Sequence, residues 1–252
     1  MGRPGLYKLN CYLYTLSLRG LGLLTPQNTT INGEKKVLKR VLTEEVNVVF
    51  DVGANVGNYI KTIQSIAGNS IIYAFEPHPK NFKKLVSSID SKKVNSYNQA
   101  LGDTIGTLSL FDYADRDGSS HASLHKEVIE GIHQKKSIEY RVDVDTVDSF
   151  VTNNKIEKIN LLKIDTEGNE YNVLLGAKKT LDGNKIDFIQ FEFSELQIVQ
   201  RHFLKDFIDL LANFNFYRVL THGLVELKPY DPVHHEIFAF QNILAVKKTI
   251  DF

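Results

Sequence analysis

The segment NVVFDVGANVGNY, residues 47–59, limits the possible folds more than any other stretch of the chain. An apolar run, Val48-Val49-Phe50, ends on an acid, Asp51. Two glycines, Gly53 and Gly57, follow, and then the pattern turns amphipathic. A buried strand that breaks on glycines and restarts as a helix is the turn found at the ligand end of parallel α/β sheets.

The rest of the chain repeats the theme. NVVFDV precedes a predicted helix over about 58–67, SIIYAFEP one over about 79–89, KINLLKID one over about 169–181 and IDFIQFEF one over about 196–214. KVNSYNQAL, NFYRVL and FQNILAVKK read as further strands. GTLSLFDY and SIEYRVDV alternate with period two and have no clear helix between them, which reads as an antiparallel excursion. β-branched strands apolar on both faces imply a mostly parallel sheet covered by helices on both sides. No Pro- or Ser-rich linker, repeat or low-complexity run divides the chain. It reads as a helical extension over 1–45 and one domain over 46–252.

Ligands in such sheets bind beyond the carboxyl ends of the strands. Asp51, Glu76 and Asp165 fall at those ends, and Glu192 falls late in a fourth strand. The dinucleotide fingerprint G-x-G-x-x-G brings open backbone to a pyrophosphate. Here the spacing is G-x-x-x-G, with Ala54 and Asn55 inside it, and Asp51 would face that pyrophosphate as a like charge. An ammonium and a sulfonium would instead favour the carboxylate, and S-adenosylmethionine carries both. Glu76, 19 residues past Gly57 (76 − 57), stands where an acid accepts both ribose hydroxyls of an adenosine. The bland alternative is that the glycines only permit a tight strand-to-helix turn.

VVFDVGANVGNY, IYAFEPHP, NQALGD, DSF and LLKIDTEGNEYNVLLGA together resemble the FkbM family of S-adenosylmethionine-dependent methyltransferases, over roughly residues 46–193. DVGANVG and EP are common to many class I methyltransferases, whereas KIDTEGNE is specific to this family. The resemblance implies a Rossmann-like, seven-stranded sheet and O-methylation of a hydroxyl on a sugar, glycan or related polyhydroxylated metabolite. Carried over by position, it implies that Asp51, Gly53, Asn55 and Gly57 line the methionine end of the cofactor and that Glu76 takes the ribose. Ala100, Leu101 and Asp103 fall near adenine, and Asp165 near the transferable methyl.

A neutral hydroxyl is a poor nucleophile and needs a base or a metal to draw off its proton. The candidate bases are Asp165, Glu167, Glu192, His121 and His222. Glu167 is balanced between a substrate role and charge at the start of a helix. Lys163 either pairs with an acid or meets the substrate. The loop DYADRDGSSHASLH, 112–125, carries hydroxyls and charges suited to a polyhydroxylated acceptor, or is merely solvated. Asp231, His234, His235 and Glu236 cluster in DPVHHEIF, but adjacent histidines do not share a strand face and no spaced second pair completes a zinc site. Magnesium held by Asp165, Glu167 and Glu192 is the better metal alternative; no metal is expected. A nicotinamide-dependent oxidoreductase is the alternative enzyme, with the glycine spacing and Asp51 against it. A non-catalytic Rossmann-type binding module is the other alternative, with the retained acids against it.

Thirty basic and thirty acidic residues cancel, so net charge gives no footprint for nucleic acid. A single cysteine, Cys11, excludes an internal disulfide and suits a reducing, cytoplasmic location; it reads as a small buried hydrophobe. No segment reaches the roughly 18 apolar residues of a membrane span. Leucines recur near helical spacing over 6–24, predicting a helix that packs on the domain, covers the site or touches a membrane surface. Packing is the expectation.

Overall fold

Alternate residues of the central strand part to opposite faces, and the architecture follows from that division. The computed structural model describes residues 3–24, 33–43, 45–89 and 92–252. Its strands are β1 (Val48–Val52), β2 (Ile71–Phe75), β3 (Val94–Tyr97), β4 (Ala100–Leu101), β5 (Gly106–Tyr113) and β6 (Ser137–Asp145), then β7 (Ile159–Ile164), β8 (Ile186–Phe193), β9 (Phe214–Leu220), β10 (Gly223–Glu226) and β11 (Gln241–Lys247). The α-helices are α1 (Tyr7–Gly20), α2 (Glu34–Val41), α3 (Asn58–Ile66), α4 (Pro79–Ser88) and α5 (Val147–Asn153), followed by α6 (Glu170–Leu175), α7 (Lys178–Asp182), α8 (Gln197–Gln200), α9 (Leu204–Leu210) and α10 (Pro232–His235).

The main sheet runs β10-β9-β11-β8-β7-β1-β2-β3. From β3 through β8 every pairing is parallel, and β11 is antiparallel to both β8 and β9. This is the Rossmann-like α/β arrangement expected, with eight strands rather than seven because the chain folds back after β9 to add β10 at the edge. The antiparallel excursion exists but leaves the main sheet: β5 and β6 pair with each other and, through β4, form a separate three-stranded sheet.

Phe50 and Val52 of β1 enter a core shared with Phe150 of α5, Val173 of α6 and Phe207 of α9. Val49 enters the opposite core with Val37 and Leu38 of α2, Ile60 and Ile63 of α3 and Leu85 of α4. Helices therefore cover both faces, as parallel strands require. α2 belongs to this core although it lies in the stretch read as an extension; residues 25–32 of that stretch lie outside the described residues.

Several boundaries differ from expectation for local reasons. The helix predicted over 169–181 breaks at Gly176, where a Cβ would stand 1.9 Å from the Gly102 carbonyl oxygen. The helix predicted over 196–214 breaks at Arg201, which adopts φ +58 and separates α8 from α9. α1 forms within the predicted span but does not pack along the domain. Leu6, Leu9, Leu13 and Leu16 remain 46–54% exposed, and Leu18 is the buried residue of α1. Cys11 is exposed with them rather than buried.

Candidate active site

The register of the main sheet sets Asp51 beside Lys163 and Lys163 beside Gln190. Three polar side chains thus form a row across the middle of an otherwise apolar sheet. They face the α2–α3 side. There the Tyr59 hydroxyl donates to Gln190 Oε1 at 2.9 Å, and Gln190 Nε2 donates to Glu34 Oε1 at 2.9 Å. Lys163 Nζ pairs with Asp165 Oδ2 at 2.9 Å and lies 5.2 Å from the centre of the Tyr59 ring. A cavity of about 340 Å³ opens above this row at the carboxyl ends of the strands. That volume is of the size that holds a small ligand.

The first wall of the cavity is backbone. After β1 the chain turns through Gly53 and Gly57, both at φ +85, where a side chain would be strained. A Cβ on Gly53 would stand 1.7 Å from the Asp165 carbonyl oxygen, so the end of β1 and the end of β7 touch directly. Gly57 is needed for a different reason than ligand contact. It is not part of the lining, and a Cβ there would meet Leu85 and Ile89 at 2.9 Å, where α4 crosses the start of α3. Glu76, just past β2, is 5% exposed and accepts from the amides of Asn55 at 2.7 Å and His78 at 2.8 Å.

A second wall comes from the loop after β5. Asp112 accepts from the amides of Tyr113, Gly118 and Ser119 and contacts His78 Nε2 at 3.2 Å; these hydrogen bonds hold its carboxyl far below the usual range against the opposing effect of burial. His78 Nε2 also meets Asp117 at 3.0 Å, and Asn81 donates to the Ser119 carbonyl at 2.7 Å. The braced loop brings Ser119, Ser120, Ala122 and Leu124 to the cavity.

The third wall is the turn after β7. Glu170, buried, accepts from the amides of Thr166 and Gly168 and from the Thr166 hydroxyl. This hold lets Glu167 take φ +53, ahead of Gly168 at φ +105. Glu167 is bonded to His121 Nδ1 at 3.2 Å, and its carbonyl accepts from Ser123. Burial pushes Glu167 up to about 7, with the His121 hydrogen bond pulling the other way; that same bond raises His121. Burial, then the charges of Asp165 and Glu167, raises Glu192 well above the carboxylate range.

Among the described residues six carboxylates line the cavity, from Glu34, Asp51, Glu76, Asp165, Glu167 and Glu192, against one cation, Lys163. Burial raises Asp51 and Glu76 to about 7 each, with Lys163 opposing at Asp51 and the two amides opposing at Glu76. Two buried oxygens at the cavity have no hydrogen-bond partner, Asp51 Oδ2 and Asn81 Oδ1. Unpaired buried acceptors are costly, and a ligand with a cation and an amino or hydroxyl donor would satisfy them.

Most of the expected residues meet here: Asp51, Gly53, Asn55, Glu76, Ala100, Leu101, Asp165, Glu167 and Glu192 line the cavity, and His121 stands behind Glu167. Two do not. Asp103 lies in solvent, because the chain turns outward once the Gly102 carbonyl has met Gly176. His222 sits exposed on the turn between β9 and β10, bonded to Lys36 at 3.1 Å. Glu34, Tyr59, Asn81, Gln190 and Asn242 were not singled out from sequence. Gln190 leaves a trace, a polar residue between the apolar Ile189 and Phe191; the others each adjoin a polar residue and leave none.

Neither the Asp231–Glu236 cluster nor the trio Asp165, Glu167 and Glu192 gathers into a metal-sized group. Among the described residues the group that does is His78, Asp112 and Asp117, whose ligand atoms lie within 4.8 Å of one another. Backbone amides, Lys80 and Tyr140 already occupy its oxygens, so it acts as the loop's brace.

The family model of the methyltransferase FkbM domain matches residues 51–219. A hexuronic acid methyltransferase of Haloferax volcanii is 30% identical over 168 residues, 64% of this chain and 63% of that protein. The chain thus spans less than two thirds of that relative. A 2-O-methyltransferase of Sinorhizobium fredii is 24% identical over 190 residues, 70% of this chain and 76% of that protein. A solved FkbM methyltransferase from Methylobacillus flagellatus aligns at a TM-score of 0.48 with 11% identity, covering 81% of this chain and 45% of that one.

Proposed function

The chain belongs to the FkbM methyltransferase family, and from that premise we propose that it transfers a methyl group from S-adenosylmethionine to a hydroxyl of a sugar, glycan or related polyhydroxylated metabolite. The observation that carries the cofactor assignment is the unpartnered oxygen of Asp51 in a cavity of six carboxylates and one lysine. A dinucleotide pyrophosphate would add like charge to that cavity; an ammonium and a sulfonium relieve it. The two named relatives, one acting on a hexuronic acid and one a 2-O-methyltransferase, support oxygen and a sugar as acceptor.

In this reading Asp51 takes the ammonium, and the first turn of α3, with Asn58 at the cavity, offers backbone N–H groups to the carboxylate. Glu76 takes the ribose hydroxyls, fixed in aim by the two amides it already accepts. Asn81 and the Ala100–Leu101 strand flank adenine. The cofactor supplies an electrophilic methyl on a sulfonium. The protein's part is to hold the acceptor in line, exclude water and remove one proton.

Glu167 is the base. Its carboxylate is poised near neutral pH, and His121, 27% exposed, relays the proton toward solvent. Lys163 aims Asp165, 2.9 Å away, to accept from the acceptor hydroxyl or its neighbour. Glu192, kept neutral by burial, donates to a second acceptor oxygen. Calorimetry against S-adenosylmethionine and NAD tests the cofactor: binding of the first and not the second is expected. Tritium transfer from methyl-labelled cofactor to a panel of glycosides and uronides tests the acceptor. Label appearing only on nitrogen or carbon acceptors would refute the reading.

A further inference from the structure

α1 carries its large apolar side chains into solvent in an ordered way. Leu6, Leu9, Leu13 and Leu16 form a stripe at intervals of three and four residues, each 46–54% exposed. By helical spacing Tyr12, 66% exposed, borders the stripe on one side, with Arg19 and Lys8 next beyond it. Arg3, Lys8 and Arg19 precede the first acid of the sequence, Glu34, although the whole chain is neutral. The helix is rooted beside the cavity mouth. Leu18 and Leu23 pack on Ala239 and Ile237, Leu24 N donates to the Phe240 carbonyl at 3.0 Å, and Phe240 lines the cavity.

We propose that α1 lies in the surface of an anionic lipid bilayer and sets the mouth of the cavity against the lipid headgroups. No helix among the described residues is long and apolar enough to cross a membrane, so the arrangement is interfacial. The leucine stripe enters the acyl boundary. Tyr12 sits at the water–lipid border that amphipathic rings favour, and the basic side chains beyond it meet anionic headgroups. A second copy of the chain would instead bring the same basic residues together. The acceptor it implies, resting on the sugar-hydroxyl reading above, is one anchored in that bilayer.

Cys11, the chain's only cysteine, lies on the opposite side of α1 from the stripe, so an environment-sensitive maleimide dye is placed on Leu16→Cys in a Cys11→Ser background. With vesicles of equimolar phosphatidylglycerol and phosphatidylcholine, the labelled protein should co-sediment and its emission should shift to the blue. Phosphatidylcholine alone should bind it far less. Leu9→Asp/Leu13→Asp and Lys8→Glu/Arg19→Glu should each weaken binding by at least about tenfold, with unchanged melting, and salt should weaken the parent's binding. Binding that ignores the anionic lipid, or survives both double variants, would overturn the proposal. So would a dimer in sedimentation velocity that Leu9→Asp/Leu13→Asp abolishes, which would make a second copy the occupant. Vesicle binding is read without turnover: loss of methyl transfer with intact binding would refute the functional reading alone, and the converse would refute this one alone.

Discussion

The two halves of the cavity are built by different means. On the β1–β2 side the shape is set by backbone: two residues at φ +85, a glycine against a carbonyl, and Glu76 held by two amides. On the β7–β8 side it is set by side-chain charge: Lys163 on Asp165, His121 on Glu167, and Glu192 buried near both acids. The first half is stiff in its backbone, and burial brings its two acids, Asp51 and Glu76, to about 7 each. The second is held by groups whose protonation states depend on one another. In the proposed reaction, a donor that never varies is matched to the stiff half, and a proton that must leave is matched to the soft one.

The sharpest break in this comparison is Gly53→Ala. Its Cβ must displace the Asp165 carbonyl and accept a left-handed backbone, so we expect a loss of more than about 3 kcal/mol in urea unfolding. A stable, cofactor-binding Gly53→Ala protein would show that the stiff half is not stiff. On the other side, Glu167→Gln keeps shape and removes the proposed base. Turnover should fall by about 10²–10⁴ with cofactor affinity nearly unchanged. His121→Gln should cost less turnover and move the Glu167 limb of the pH–rate profile to higher pH, since the His121 hydrogen bond holds Glu167 down.

Much of the first half was legible in the sequence, because one short segment encodes it. Asp51, Gly53 and Glu76 are visible as strand ends and turn glycines. Even there Gly57 was assigned to the ligand, whereas it serves the crossing of α3 by α4. The second half was visible only as a set of acids. Asp51, Lys163 and Gln190 are neighbours by strand register, and Glu34 reaches them from α2, 156 residues away from its partner Gln190. Register is fixed by three-dimensional pairing, so no local pattern announces it. Asp103 and His222 were misplaced for the same reason: the direction of the chain after β4 and β9 depends on a glycine contact and a hairpin.

A smaller effect is expected from Glu76→Ala. It removes the proposed ribose acceptor and strips two amides of their partner, so cofactor affinity should drop on the order of 100-fold in calorimetry, with a lower melting temperature. Smallest is the pH dependence. Asp51 and Glu76 have folded values of about 7, raised from 3.8 and 4.5. A cationic ligand favours their charged forms, so affinity should rise by up to about tenfold per pH unit below 7 and level off above it. The ligand-free protein should follow the opposite sign. Its stabilisation from these neutral carboxyls is complete below about 4 and is lost as pH rises through 7. Calorimetry in buffers of different ionisation enthalpy should report proton release on cofactor binding near neutral pH. Uptake instead would break the assignment of Asp51.

The contact between Gly53 and the Asp165 carbonyl has a consequence for how such a site can diversify. It welds the donor turn to the strand end that carries the acceptor acids, so the spacing between them is a constant of the scaffold rather than an adjustable parameter. Lineages that acquire new acceptors must then do so at the periphery, through the 117–124 loop, α2 and the segment around Phe240, which reach the cavity from outside the sheet. Sequence drift should be heavy in those three segments and nearly frozen along the seam.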